Sequence, residues 1–106
     1  MFAFLKNNQN YKVINVNDLA GTHNKDLIDI REPGEYLRGH VPGAKNVPMQ
    51  LLLSNPEAYL QKDKNYKIIC QSGGRSSRAC AMLSDMGYDV TNVAGGTGYY
   101  VGQLKR

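Results

Sequence analysis

Tryptophan is absent from this chain, and cysteine, phenylalanine and histidine each occur only twice in 106 residues. The two cysteines, Cys70 and Cys80, stand ten apart. That excludes the disulfide framework of a small secreted scaffold, and there is no Cys-x-x-Cys pair for zinc or dithiol chemistry. No apolar run is long enough to cross a bilayer. The opening Met1-Phe2-Ala3-Phe4-Leu5-Lys6 is too briefly apolar for a signal-peptide core, so a cytoplasmic protein with reduced thiols is expected. Lysine and arginine form no stripe, and the net charge of +4 is mild and scattered. Nucleic acid and membrane are therefore not expected partners, while small anions are favoured. No repeat or linker is visible.

What is present is the composition of one soluble domain, with 42% hydrophobic and 21% charged residues. Residues 1–10 read as an N-terminal arm ending in Asn7-Asn8-Gln9-Asn10, and 11–106 as the domain. Strands are expected at 11–14, 26–30, 45–47, 66–69 and 88–93. Asn17 or Asp18 is placed to cap a helical turn ending at Gly21. Pro33 opens a short helix that leaves at Gly39, and Pro42-Gly43 marks a turn. Further helical segments are expected at 49–53, 57–61, 76–86 and 99–104. In the clearest of these, Ala79, Met82, Leu83 and Met86 recur as one buried face. Alternating strands and helices predict an α/β domain with a mostly parallel sheet and helices on both faces.

The organising stretch is Ile68-Ile69-Cys70-Gln71-Ser72-Gly73-Gly74-Arg75-Ser76. It reads as an apolar strand, a glycine-containing loop and a helix start. Ligands of parallel sheets bind at the carboxyl ends of strands, where Cys70 lies. Gln71, Ser72, Gly73 and Gly74 can turn amides inward as an anion nest, and the helix dipole points at the same spot. A thiol there loses its proton without a charged base, which makes Cys70 a candidate nucleophile. The plain alternative is a buried cysteine at a strand end. Arg75 either grips a donor's oxyanions or braces the loop.

Four stretches together resemble the rhodanese family of sulfurtransferases in its small single-domain form. They are Leu27-Ile28-Asp29-Ile30-Arg31-Glu32-Pro33, Gly39-His40-Val41-Pro42-Gly43-Ala44, Ile69-Cys70-Gln71-Ser72-Gly73-Gly74-Arg75-Ser76 and Val93-Ala94-Gly95-Gly96, and the similarity spans roughly 11–104. The resemblance implies a five-stranded parallel sheet between helices and a persulfide carried on Cys70. It implies a small sulfur-containing anion such as thiosulfate as donor, and cyanide, a thiol or a protein as sulfur acceptor, with no cofactor and no metal. Two readings stand beside it: a persulfide carrier between proteins, and a phosphatase or arsenate reductase on the same fold. Four residues separate Cys70 from Arg75, the length associated with sulfur transfer, whereas the related phosphatases have one more. Position 71 is often arginine in small members and is neutral Gln71 here, which removes a cationic contact from thiosulfate. Tyr99-Tyr100 stand where the closing motif usually sets a Trp.

The remaining polar residues read as structural. Cys80 is expected to be buried, His40 to serve its Pro-Gly turn and His23 to be a solvated loop residue. Arg78 is expected to be solvated or ion-paired. Asp29, Arg31 and Glu35 are expected to form a polar brace near the site.

Overall fold

A computed structural model describes residues 11–21 and 24–106. The expected arm at 1–10 and His23 lie outside the described residues. The strands are β1 (Lys12–Asn15), β2 (Leu27–Asp29), β3 (Lys45–Asn46), β4 (Asn65–Ile69) and β5 (Asp89–Ala94). They form one sheet in the order β1-β5-β4-β2-β3, and all of its pairings are parallel. Representative registers are Ile14 on Val93, Ile68 on Asn92, Ile28 on Ile68 and Ile28 on Lys45. The helices are α1 (Pro33–Arg38), α2 (Met49–Ser54) and α3 (Gly74–Asp85), with short 3-10 turns at Val16–Leu19, Pro56–Ala58 and Thr97–Tyr99. Among the described residues no helix is long and apolar enough to cross a membrane.

The central strand sorts the core by alternation. Ile68 and Cys70 face one cluster, with Leu52 of α2 and Ala79, Cys80 and Leu83 of α3. Ile69 faces the other, with Val16, Leu19, Val41 and Val93, and Tyr36 of α1 packs against it. Helical elements thus cover both faces, and Cys70 is delivered to the α3 side.

Three local expectations need correction. The buried stripe of α3 is Ser76, Ala79, Cys80 and Leu83, while Met82 and Met86 are exposed. Small residues at that stripe let the helix lie close to the sheet, so its phase sits one residue from the larger methionines. The N-cap of the first turn is Asn15, whose Oδ1 accepts from the Asn17 amide at 2.9 Å, and Asp18 serves from the third helical position, where its Oδ2 accepts from the Asn15 amide at 3.3 Å. Beyond Tyr99 the chain is not helical. It runs to an antiparallel bridge in which Lys105 N–H donates to the His40 carbonyl at 2.8 Å and the Lys105 carbonyl accepts from the His40 amide at 2.9 Å.

Candidate active site

Cys70 follows the last residue of β4 and is buried. The next residues must reverse the chain into α3 within one short loop. Gly73 makes that turn at φ +105°, in the left-handed region that favours glycine, and caps the helix. The turn aims two amides at the sulfur. Gly73 N–H donates to Cys70 Sγ at 3.1 Å and Ser76 N–H at 3.3 Å. The first turn of a helix has no earlier carbonyls to bind, so its amides are free to hold an anion.

A hydroxyl completes the set. Ser76 Oγ lies 3.4 Å from Cys70 Sγ, 2.5 Å from Oδ1 of Asn92 on β5 and 3.2 Å from the Gly73 carbonyl. With the thiol protonated, Ser76 donates to Asn92 and accepts from the S–H. With the thiolate, rotation of the same hydroxyl turns a donor to sulfur. Burial, the largest single influence, pushes the Cys70 thiol up. The Ser76 hydroxyl and amide, with the amides of Gly73 and Ser72, outweigh it, and the thiol is displaced below its ordinary value. Among the described residues none donates in this way to Cys80. Burial, and then the charge of Cys70, push it up to about 12.

The side chains of Gln71 and Arg75 are engaged away from the sulfur. Gln71 is exposed, and its Oε1 accepts from Arg31 Nη1 at 3.0 Å. Its carbonyl accepts from the Gly98 amide and that of Cys70 from the Thr97 amide, both at 2.9 Å. The 3-10 turn after β5 therefore ties down the loop from below. Gly96 permits this approach: at φ +63°, a Cβ there would stand 2.5 Å from the carbonyl oxygens of Cys70 and Gln71. Arg75 neither braces loop carbonyls nor stands free. Its Nη1 and Nη2 donate to the two carboxylate oxygens of Glu35 on α1 at 3.0 and 3.1 Å. That pairing, its largest influence, holds Glu35 down at about 2.

The expected brace is therefore two pairs. Arg31 is buried and bonded to both oxygens of Asp29, with a further bond from Nη2 to the Gly39 carbonyl at 2.7 Å. Glu35 belongs to Arg75. His40 stacks on Tyr36 with ring centroids 3.8 Å apart, and its Nδ1 lies 3.0 Å from the Tyr36 carbonyl, a structural setting. Arg78 is exposed. Ser76, Asn92, Thr97 and Gly98 escaped the reading of the sequence as site residues. For Ser76 the signal was a serine in the first helical turn after the loop. For Asn92 it was an amide side chain next to Val93 in the last strand.

Comparison with known proteins bears on this geometry. The family model described as "Rhodanese-like domain" matches residues 13–102. A sulfurtransferase of Allochromatium vinosum is 42% identical over 79 residues, which cover 74% of this chain and 73% of the relative. The thiosulfate sulfurtransferase PspE of Escherichia coli is 37% identical over 70 residues, 65% of this chain and 67% of the relative. The crystal structure of SSP1007 from Staphylococcus saprophyticus has a TM-score of 0.75 at 29% identity, covering 90% of this chain and 99% of that one. With a family match that begins in β1 and runs past the last 3-10 turn, the chain belongs to the rhodanese-like domain family.

Proposed function

We propose that this protein is a sulfurtransferase that carries sulfane sulfur as a persulfide on Cys70. The carrying observation is the sulfur ligand set: two backbone amides and one hydroxyl converge on a buried thiol at a helix N-terminus, with no charged base among them. Such a set stabilises an anionic sulfur and suits a nucleophile that must be regenerated as a leaving group. The Cys70 thiolate attacks the outer sulfur of thiosulfate. Its S–S bond breaks and sulfite leaves with the electron pair, so Cys70–S–S⁻ remains. An acceptor then takes the outer sulfur. Cyanide, a thiol or a partner protein fits this second half.

The short loop favours this reading over a phosphatase. With four residues between Cys70 and Arg75, the ring closes on a group smaller than a tetrahedral phosphate. Incubation with thiosulfate is expected to add one sulfur to the intact mass, removable by a reductant and mapping to Cys70. Cys70→Ser should gain none while its circular dichroism is unchanged, because an alcohol holds its proton far more tightly. No mass gain, or a gain at Cys80, overturns the assignment. Hydrolysis of phosphate esters without sulfur uptake would move the protein to the phosphatase reading.

A further inference from the structure

At the end of the sheet opposite Cys70 lies a cavity of ≈ 250 Å³. It sits at the amino ends of β2, β3 and β4, where Lys45 begins β3 and Tyr66 stands second in β4. Cys70 is four residues further along the chain from Tyr66, about 13 Å at ~3.3 Å per residue. Two rings wall the cavity: Tyr66 is only 7% exposed, and Tyr59 is half-buried. Three lysines, Lys25, Lys45 and Lys64, line it against one carboxylate, Asp26. Lys64 Nζ lies 3.5 Å from Asp26 Oδ1, so that acid is matched. Lys25 and Lys45 are exposed and in no ion pair among the described residues. The Tyr66 phenol oxygen accepts from the Gln61 amide at 3.0 Å, and among the described residues nothing accepts its proton.

We infer that this cavity is a second binding site, separate from sulfur transfer, and that it takes a small aromatic anion, one ring bearing a carboxylate or a phosphate. Size, walls and charge each narrow the class. The volume lies just under the ~300 Å³ at which pockets for drug-sized ligands begin, which suits a single-ring compound. The two tyrosines offer such a ring offset-stacked or edge-to-face contacts. Lys25 and Lys45 supply positive charge that no carboxylate of the cavity matches, and the Tyr66 hydroxyl supplies one directed donor for a carboxylate or phosphate oxygen. A cationic ligand meets repulsion from the same lysines, because Asp26 already belongs to Lys64. A bare inorganic anion meets the lysines but leaves the ring walls uncovered.

The test is a titration followed by the NMR shifts of backbone amides. The probes are phenyl phosphate, benzoate, benzyl alcohol and benzylamine, with inorganic phosphate as a charge without a ring. Phenyl phosphate and benzoate are expected to move the amides of Leu27, Lys45 and Tyr66 and to leave those of Gly73 and Ser76 in place. Phenyl phosphate should bind about fivefold more tightly than benzoate, and benzoate about fivefold more tightly than benzyl alcohol, the scale of one exposed ion pair per added charge. Benzylamine should bind more weakly than benzyl alcohol. Lys25→Gln and Lys45→Gln combined in one protein should bring phenyl phosphate, benzoate and benzyl alcohol together, and both lysines are exposed, so that variant keeps its fold. Tyr66→Phe should weaken the anions by about tenfold and leave benzyl alcohol unchanged. Phenyl phosphate that binds no more tightly than benzyl alcohol overturns the inference. So does inorganic phosphate that matches phenyl phosphate, or a shift pattern centred on Gly73 and Ser76. Cys70→Ser should bind phenyl phosphate as the wild-type protein does, so this site stands or falls separately from the sulfur-transfer reading.

Discussion

Ser76→Ala probes the sulfur cradle by removing its one side-chain hydroxyl and leaving the backbone amides in place. A hydrogen bond to a charged group contributes about 1.5–3 kcal/mol. The Ser76 hydroxyl sits 3.4 Å from sulfur and has two competing acceptors, so the lower end applies. At about 1.4 kcal/mol per tenfold, the alkylation midpoint of Cys70 should rise by about one pH unit. The rate at neutral pH should fall by somewhat less than about tenfold, because a more basic thiolate is also more nucleophilic. Iodoacetamide alkylation against pH reads this directly. Cys80 is buried and pushed up to about 12, so it is silent in the working range. The folded thiol titrates below the unfolded one, so the unfolded chain binds more protons between the two values. Stability attributable to Cys70 is therefore absent below the folded midpoint and grows as pH rises toward about 8.5. Ser76→Ala should shrink that gain. Asn92→Ala is the opposing control. It frees the Ser76 hydroxyl to serve sulfur, so the midpoint should fall even though a buried partner is lost. A Ser76→Ala midpoint equal to wild type, or shifts of the same sign in both variants, would refute the rotating-hydroxyl account.

Glu35→Gln should weaken folding by about 1 kcal/mol or less at neutral pH, the scale of a half-exposed pair. The folded carboxyl titrates at about 2 against an ordinary 4.5, so its contribution is full above 4.5 and is lost as pH falls through about 2. Denaturation at pH 7, 3.5 and 2 should show the two proteins converging, and an undiminished gap at pH 2 would rule out an electrostatic origin. Gly96→Ala should cost about 2 kcal/mol or more, since a Cβ there meets two loop carbonyls at a positive φ. A melting curve like that of wild type would show that the loop and the turn after β5 can separate freely. Cys80→Ala should cost about 1 kcal/mol or more through a core cavity while leaving the Cys70 midpoint in place, because Cys80 is uncharged there. A lowered midpoint would mean that Cys80 carries charge at neutral pH.

The parts of the fold that were legible are those whose signal is local. Ile68-Ile69 before the glycine loop marks the central strand, and Pro33 and Gly39 bracket α1 as their backbone preferences dictate. The segment after Tyr99 was misread as helix because its structure is set by a bridge to His40, 65 residues away in sequence. In α3 the helical period was visible but its phase was not. Hydropathy favoured Met82 and Met86, whereas close approach to the sheet selected Ser76, Ala79 and Cys80. Cys70 and the amides of its loop could be read from residue order. The partners of Arg75 and Gln71 could not, since Glu35 and Arg31 each lie 40 positions away and nothing local announces the pairing.

The two tethers from the turn after β5 give this site a built-in reporter. The Thr97 and Gly98 amides bond the carbonyls of Cys70 and Gln71 and leave the sulfur alone. Their exchange with deuterated water therefore follows opening of the loop, whereas the Gly73 and Ser76 amides also feel the charge on sulfur. Comparing the two pairs, before and after a sulfur atom is loaded, separates motion of the backbone from chemistry at the thiol in a single measurement.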